Sequence, residues 1–122
     1  MSSESSVSII DYGIGNISSV VNALLRIGAS PRVTEDGDAL RQGACSHIVL
    51  PGVGAIGQAM HNLEERGIRD ALQEQVIEGG VPYLGVCVGM QILVESGEEY
   101  GDHQCLGWIP GRTRSLARDG ET

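Results

Sequence analysis

The sequence predicts an α/β fold of three layers, a mostly parallel sheet with helices on both faces. Three observations predict it. Short apolar runs of strand length alternate with stretches of helical spacing. Those runs are continuously apolar rather than alternating, as parallel strands covered on both faces are. Three glycine-bearing turns, at 13–16, 52–54 and 87–89, fall where strands end, on the rim where ligands of such sheets bind.

Residues 7–11 read as a short buried strand. After the turn at 13–16, Ile17, Val20, Val21, Leu24 and Leu25 repeat at i, i+3, i+4, i+7 and i+8, an amphipathic helix that Gly28 stops. Residues 31–34 form a weak second strand, and the polar stretch 36–42 holds at most a short helix. Residues 47–50 are an apolar strand ended by Pro51-Gly52. Helical spacing returns with Ile56, Met60 and Leu63, resumes after Gly67 with Ile68, Leu72 and Val76, and breaks at Gly79-Gly80. Residues 81–86 are the next strand, and 89–95 a helix with Met90, Leu93 and Val94 on one face. Residues 106–109 are a further candidate strand, from which Pro110-Gly111 turns into 112–116.

The chain of 122 residues fits one domain with a real core, and shows no internal repeat or linker. Apolar content is 41% but aromatics only 3%, with no Phe, so aliphatic side chains must fill the interior. All eight cations are Arg, which carries no functional reading. A net charge of −8 argues against nucleic acid and against anionic membrane surfaces as partners. The odd set Cys45, Cys87 and Cys105 has no Cys-x-x-Cys spacing, and with no signal peptide or membrane span the expected compartment is a reducing cytoplasm. Residues 1–6 are polar and expected to be loose.

The run Tyr83-Leu84-Gly85-Val86-Cys87-Val88-Gly89-Met90-Gln91 carries most of the chemistry. A Cys centred in Gly-x-Cys-x-Gly, between a strand and a helix, is a nucleophile elbow with Cys in place of Ser. The glycines allow the sharp turn, and the following helix is expected to aim N–H groups at the sulfur and favour thiolate. Pro51-Gly52-Val53-Gly54 ends the preceding strand, and its use would be a kinked loop with backbone donors toward the cysteine. An acyl-transfer site needs two donors for its oxyanion. One would be the N–H of Val53 or Gly54, the other that of Val88. Gly13-Ile14-Gly15-Asn16 is not a dinucleotide fingerprint, because Ser18 stands where the third glycine belongs. No spacing of His and Cys fits a metal site, and no organic cofactor is implied.

Asp11-Tyr12-Gly13-Ile14-Gly15-Asn16-Ile17, Leu50-Pro51-Gly52-Val53-Gly54-Ala55, the 84–91 elbow and Glu98-Glu99 occur in an order that resembles the class I, triad-type glutamine amidotransferases, whose fold is flavodoxin-like. The Gly-Asn-Ile at 15–17 and Leu-Gly-Trp-Ile-Pro-Gly at 106–111 are closest to the branch that forms the glutaminase subunit of imidazole glycerol phosphate synthase, in histidine biosynthesis. The resemblance implies that Cys87 attacks the side-chain amide carbon of L-glutamine. It implies that Gly52, Val53 and Gly54 form the oxyanion strand with Val88, and that Gln91 and Glu99 hold the amino-acid end of the substrate. From the residues alone, Glu99 reads as one more surface acid. The resemblance further implies a barrel-type cyclase subunit as heterodimer partner. That subunit would receive the ammonia and make imidazole glycerol phosphate and an aminoimidazole carboxamide ribotide, with Asn16 near the interface.

The sequence departs from that family in one respect. The family's His-Pro-Glu motif is absent, and His47, His61 and His103 match no catalytic position; His61 with Glu64 reads as ordinary i, i+3 surface chemistry. Residues 7–122 are therefore expected to be a partial, C-terminally truncated amidotransferase domain from a chain of roughly 200 residues. It would leave a sheet edge and one face uncovered. A general base contributes roughly 10²- to 10⁴-fold, so the polypeptide alone is expected to lack useful glutaminase activity. Three other readings stay open: the glutaminase subunit of a different synthase, such as a pyridoxal-phosphate or sugar-amination one; a non-catalytic interaction module; and a cysteine redox sensor.

Overall fold

The computed structural model describes residues 6–43, 45–114 and 116. Strands β1 (Ser6–Ile10), β2 (Ser30–Thr34), β3 (His47–Leu50) and β4 (Tyr83–Gly85) form one parallel sheet in the order β2-β1-β3-β4. Helices α1 (Ile17–Arg26), α2 (Gly37–Gln42), α3 (Ile56–Glu65) and α4 (Ile68–Leu72) connect them, α4 running on through a π-helical turn at Gln73–Glu78. The parallel α/β architecture matches the expectation. β1 begins at Ser6, one residue early, and the rest of the segment 1–6 lies outside the described residues.

Local chemistry explains the boundaries. Asn16 caps α1, its side chain accepting from Ser19 N at 3.2 Å, and Asp36 caps α2 through Ala39 N at 2.8 Å. Gly28, at φ +87, ends α1 while Ala29 N–H donates to Leu24 O. The core lies between the sheet and α2–α4, where Ile10, Ile48 and Leu50 meet Leu40, Leu63, Ile68 and Leu72, all fully buried. Among the described residues the opposite face is covered by α1 alone. No α1 residue is fully buried, and Leu25 and Ile27 are 56% and 77% exposed. A groove of about 450 Å³ opens there, lined by Leu24, Ile27, His47, Pro82 and Leu84 among others, toward the starts of β3 and β4. Coverage of both faces is thus unequal. Leu84 on the β4 edge is 59% exposed and Val33 on the β2 edge 44%. Among the described residues no helix is long and apolar enough to cross a membrane.

The second half departs most from expectation. The helix predicted over 89–95 is a single turn, α5 (Val88–Gln91), and the chain then enters β5 (Val94–Glu98) of a second sheet, ordered β6-β5-β7 with β6 (Asp102–Gln104) and β7 (Ile109–Thr113). Leu93 and Val94 therefore share no helical face with Met90. The reason is tertiary. Ile92 O accepts Leu106 N–H at 2.9 Å and Leu93 O accepts Trp108 N–H at 2.9 Å and Ile109 N–H at 3.1 Å, bonds that a continued helix would forfeit. The strand expected at 106–109 lies instead at Ile109–Thr113, with Pro110 and Gly111 inside it rather than turning, and the strand expected at 81–86 keeps only Tyr83–Gly85.

Candidate active site

The three glycine turns meet at one end of the parallel sheet. β3 and β4 are neighbours in register, Leu50 beside Gly85, so the 51–54 and 86–89 turns leave the sheet together. Val88 N–H donates to Gly52 O at 3.0 Å, and a Cβ at Gly15 would lie 3.1 Å from Gly52 Cα. The turn that holds Cys87 and Val88 is therefore tied to the 51–54 turn at Gly52.

Cys87 stands exposed at the tip of the elbow with φ +55 and ψ −116, a conformation disfavoured for an L residue and worth roughly 1–3 kcal/mol of strain. The flanking glycines are enforced by contact. A Cβ at Gly85 would run into the Gly89 carbonyl, and one at Gly89 into the Leu50 carbonyl. One expectation fails here. The amides of the first turn do not aim at the sulfur: Gly89 N–H donates to Val86 O, and Met90 and Gln91 N–H to Cys87 O. With four residues, α5 also has little macrodipole to offer.

The Pro51–Gly54 side is held differently. Tyr12, fully buried, donates its hydroxyl to Pro51 O at 2.7 Å, and Asn62 Nδ2 holds the Tyr12 carbonyl at 2.9 Å. A Cβ at Gly52, where φ is +155, would run into that hydroxyl and into Val88 Cγ1. Around Gly54, at φ +119, nothing lies within 4 Å. Because a trans peptide sets its C=O and N–H on opposite sides, the Gly52 carbonyl bound to Val88 directs Val53 N–H the other way. On the elbow, Tyr83 donates its hydroxyl to Gly89 O at 2.7 Å while its ring meets Trp108 edge-on, centroids 5.1 Å apart. Burial pushes both tyrosine hydroxyls above their ordinary pKa, Tyr83 with a further contribution from Tyr12, so both stay protonated donors. Neither tyrosine was singled out from the sequence; an aromatic residue just before the 13–16 turn and another before the elbow, in a chain with only three Tyr, was the signal available.

Glu99 is not a solvated surface acid. Its Oε1 accepts from Ile56 N at 2.6 Å and caps α3, whose own N-cap residue, Ala55, supplies no side-chain bond. That bond ties the β5–β6 turn to the end of the 51–54 loop. Gln91 is exposed on α5, and Asn16 is exposed at the start of α1. His47 opens β3 at the end away from Cys87. His61 is exposed and pairs with Glu65 at 3.5 Å rather than with Glu64. His103 lies in β6, not a loop, its Nε2 2.8 Å from Glu99 O. Among the described residues no hydrogen bond joins a histidine to Cys87. The three cysteines are all thiols; Cys105 is buried, which pushes its pKa up against the opposing charge of Arg69.

Residues 8–108 match the family glutamine amidotransferase class-I. Similar curated proteins include the imidazole glycerol phosphate synthase subunit HisH of Zymomonas mobilis, 48% identical over 118 residues (92% of this chain, 54% of that protein). The subunit of the same name from Herpetosiphon aurantiacus is 46% identical over 108 residues (88% and 50%). The chain spans about half the length of these relatives. A solved structure described as a glutamine amidotransferase superposes with a TM-score of 0.74 at 21% identity, covering 93% of this chain and 59% of its own, a likeness of fold.

Proposed function

The chain belongs to the class-I glutamine amidotransferase family, and from that premise we propose that it carries the nucleophile half of a glutaminase site that supplies ammonia to a partner cyclase. The observation that carries the reading is the exposed, strained Cys87 on the β4 tip, joined to the Pro51–Gly54 loop through Val88 N–H. Cys87 sulfur attacks the side-chain amide carbon of L-glutamine. The carbonyl electrons move onto oxygen; on collapse the C–N bond breaks, and the amide nitrogen leaves with the bonding pair and the proton given up by the thiol, as ammonia, to leave a thioester. Water then releases glutamate and restores the thiol.

The developing oxyanion is taken by Val88 N–H and by the N–H of Val53 or Gly54. That requires Gly52 O to release Val88 N–H and the Gly52–Val53 peptide to turn over, a rotation that glycine at 52 and 54 permits. Gln91 and Glu99 bind the amino-acid end of the substrate; Glu99 keeps Oε1 on Ile56 and offers Oε2 to the ammonium. The names of the half-matched relatives support imidazole glycerol phosphate synthase as the assembly, hence a barrel-type cyclase as partner with Asn16 near the interface. Three free thiols support a reducing, cytoplasmic compartment.

The test is alkylation by the chloromethyl ketone analogue of glutamine. Sulfur bonds to the chloromethyl carbon, chloride leaves with the bonding pair, and the thiol proton goes to solvent. The reading expects saturable labelling of Cys87 alone, slowed by glutamine. Labelling that glutamine does not slow, or that spreads to Cys45, rejects it.

A further inference from the structure

Each of the two turns that form the site is clamped by a tyrosine hydroxyl on a backbone carbonyl, that of the buried Tyr12 and that of the half-buried Tyr83, and we infer that Tyr12 and Tyr83 are positioning residues that hold the oxyanion loop and the nucleophile elbow in register. The inference rests on the glutaminase reading for its functional meaning and on geometry for its substance.

The two clamps are alike in form. Tyr12 hydroxyl to Pro51 O and Tyr83 hydroxyl to Gly89 O are each 2.7 Å, and each accepting carbonyl lies close in sequence to a proposed donor: Pro51 two residues before Val53, and Gly89 directly after Val88. Each carbonyl lies outside the ladder of the parallel sheet, so a side-chain donor is what satisfies it. The hydroxyls also dictate sequence. The Tyr12 oxygen occupies the space a Cβ at Gly52 would need, so the clamp and the glycine require each other. The anchoring continues outward, Asn62 on α3 fixing the Tyr12 backbone and Trp108 packing edge-on against the Tyr83 ring. With Pro51 O pinned, rotation of the backbone is confined to the next peptide, Gly52–Val53. With Gly89 O pinned, Val88 N–H stays in place to receive whatever that rotation brings.

Tyr12→Phe and Tyr83→Phe remove one hydroxyl each and keep the ring. The proposal expects amide hydrogen exchange at Val88, whose N–H is bonded to Gly52 O, to quicken roughly threefold to tenfold, the protection of about one hydrogen bond, with Ile9 and Val49 unchanged. It also expects the maximal rate of Cys87 alkylation by the glutamine chloromethyl ketone to fall while the half-saturating concentration holds. A residue that only supported the fold would move all amides together and leave that split absent. If Tyr12→Phe does not fold, Asn62→Ala, which frees the Tyr12 backbone and leaves the hydroxyl, is expected to quicken the same amide. Unchanged exchange at Val88 in the folded variants overturns the proposal even where glutamine still protects Cys87. Loss of glutamine protection in the unaltered chain rejects the glutaminase reading and leaves the exchange result to decide the clamps.

Discussion

The elbow and the oxyanion loop are both glycine turns at the ends of neighbouring strands, clamped by tyrosines at equal distances, yet they differ in freedom. On the elbow, both flanking glycines abut backbone: Gly85 against Gly89 O, Gly89 against Leu50 O. On the loop, Gly52 abuts a side-chain hydroxyl and a methyl group, and Gly54 abuts nothing. Backbone cannot step aside; side chains can; open space asks for nothing. The Cys87 turn is therefore held fast and the 52–54 turn is adjustable, so under the proposed reading substrate-dependent change belongs to residues 52–54.

Substitutions grade that contrast. Gly89→Ala drives a methyl group into the Leu50 carbonyl and should cost about 3–5 kcal/mol or prevent folding; a melting temperature within a few degrees of the unaltered chain would show the elbow to be loose. Gly52→Ala meets only the Tyr12 hydroxyl and Val88 Cγ1, and should cost about 1–3 kcal/mol. Its cost should shrink when combined with Tyr12→Phe, and additive costs in that pair would break the link between clamp and glycine. Gly54→Ala, strained at φ +119 but unobstructed, should cost about 1 kcal/mol. It should nonetheless slow Cys87 alkylation by the chloromethyl ketone; an unchanged rate would remove Gly54 from the moving segment.

Two pH effects are smaller near neutrality and separate the site from its surroundings. Tyr12 and Tyr83 have folded pKa values raised above the ordinary 10.0. Their contribution is fully present below pH 10. It falls as pH rises further, because the unfolded chain then loses protons that the folded chain keeps, by about 1.4 kcal/mol per pH unit per tyrosine. Denaturant titrations should show that alkaline slope, reduced in Tyr12→Phe; the same slope in the variant would place the hydroxyl in water. Arg41, which bridges Glu74 at 2.9 Å far from the site, lowers the Glu74 carboxyl pKa mainly through their hydrogen bond. That contribution is present above the ordinary carboxylate pKa and is lost as pH falls through the depressed one. Arg41→Gln should lose this contribution at neutral pH, flatten the fall in stability on acidification, and leave Cys87 alkylation untouched.

The parallel sheet was legible because its signals are local. Apolar runs at 7–10 and 47–50 cannot be anything but buried strands in a chain this polar elsewhere, and Asn16, Gly28 and Asp36 mark helix ends by their own chemistry. The elbow was legible for a stronger reason: only glycine fits at 85 and 89, so geometry is written into residue type. The second sheet was not legible. Val94 and Leu93 keep helical spacing with Met90, and bonds to the distant amides of 106–109 take Leu93 out of the helix and Val94 into a strand. Glu99 was misread from the residues alone for the same reason, its partner being Ile56 N, 43 positions away. The engaged Val88 N–H was equally hidden, since no sequence pattern says which way a glycine peptide faces.

The claim on which the account stands is that Cys87 and the two backbone donors can converge on one oxygen. A crystal structure of the chain alkylated at Cys87 by the glutamine chloromethyl ketone tests it directly. The account predicts the ketone-derived oxygen about 2.7–3.1 Å from Val88 N and from Val53 N or Gly54 N, with Gly52 O turned away and Tyr12 still on Pro51 O. An adduct whose oxygen faces solvent, with Val88 N–H still bonded to Gly52 O, contradicts it.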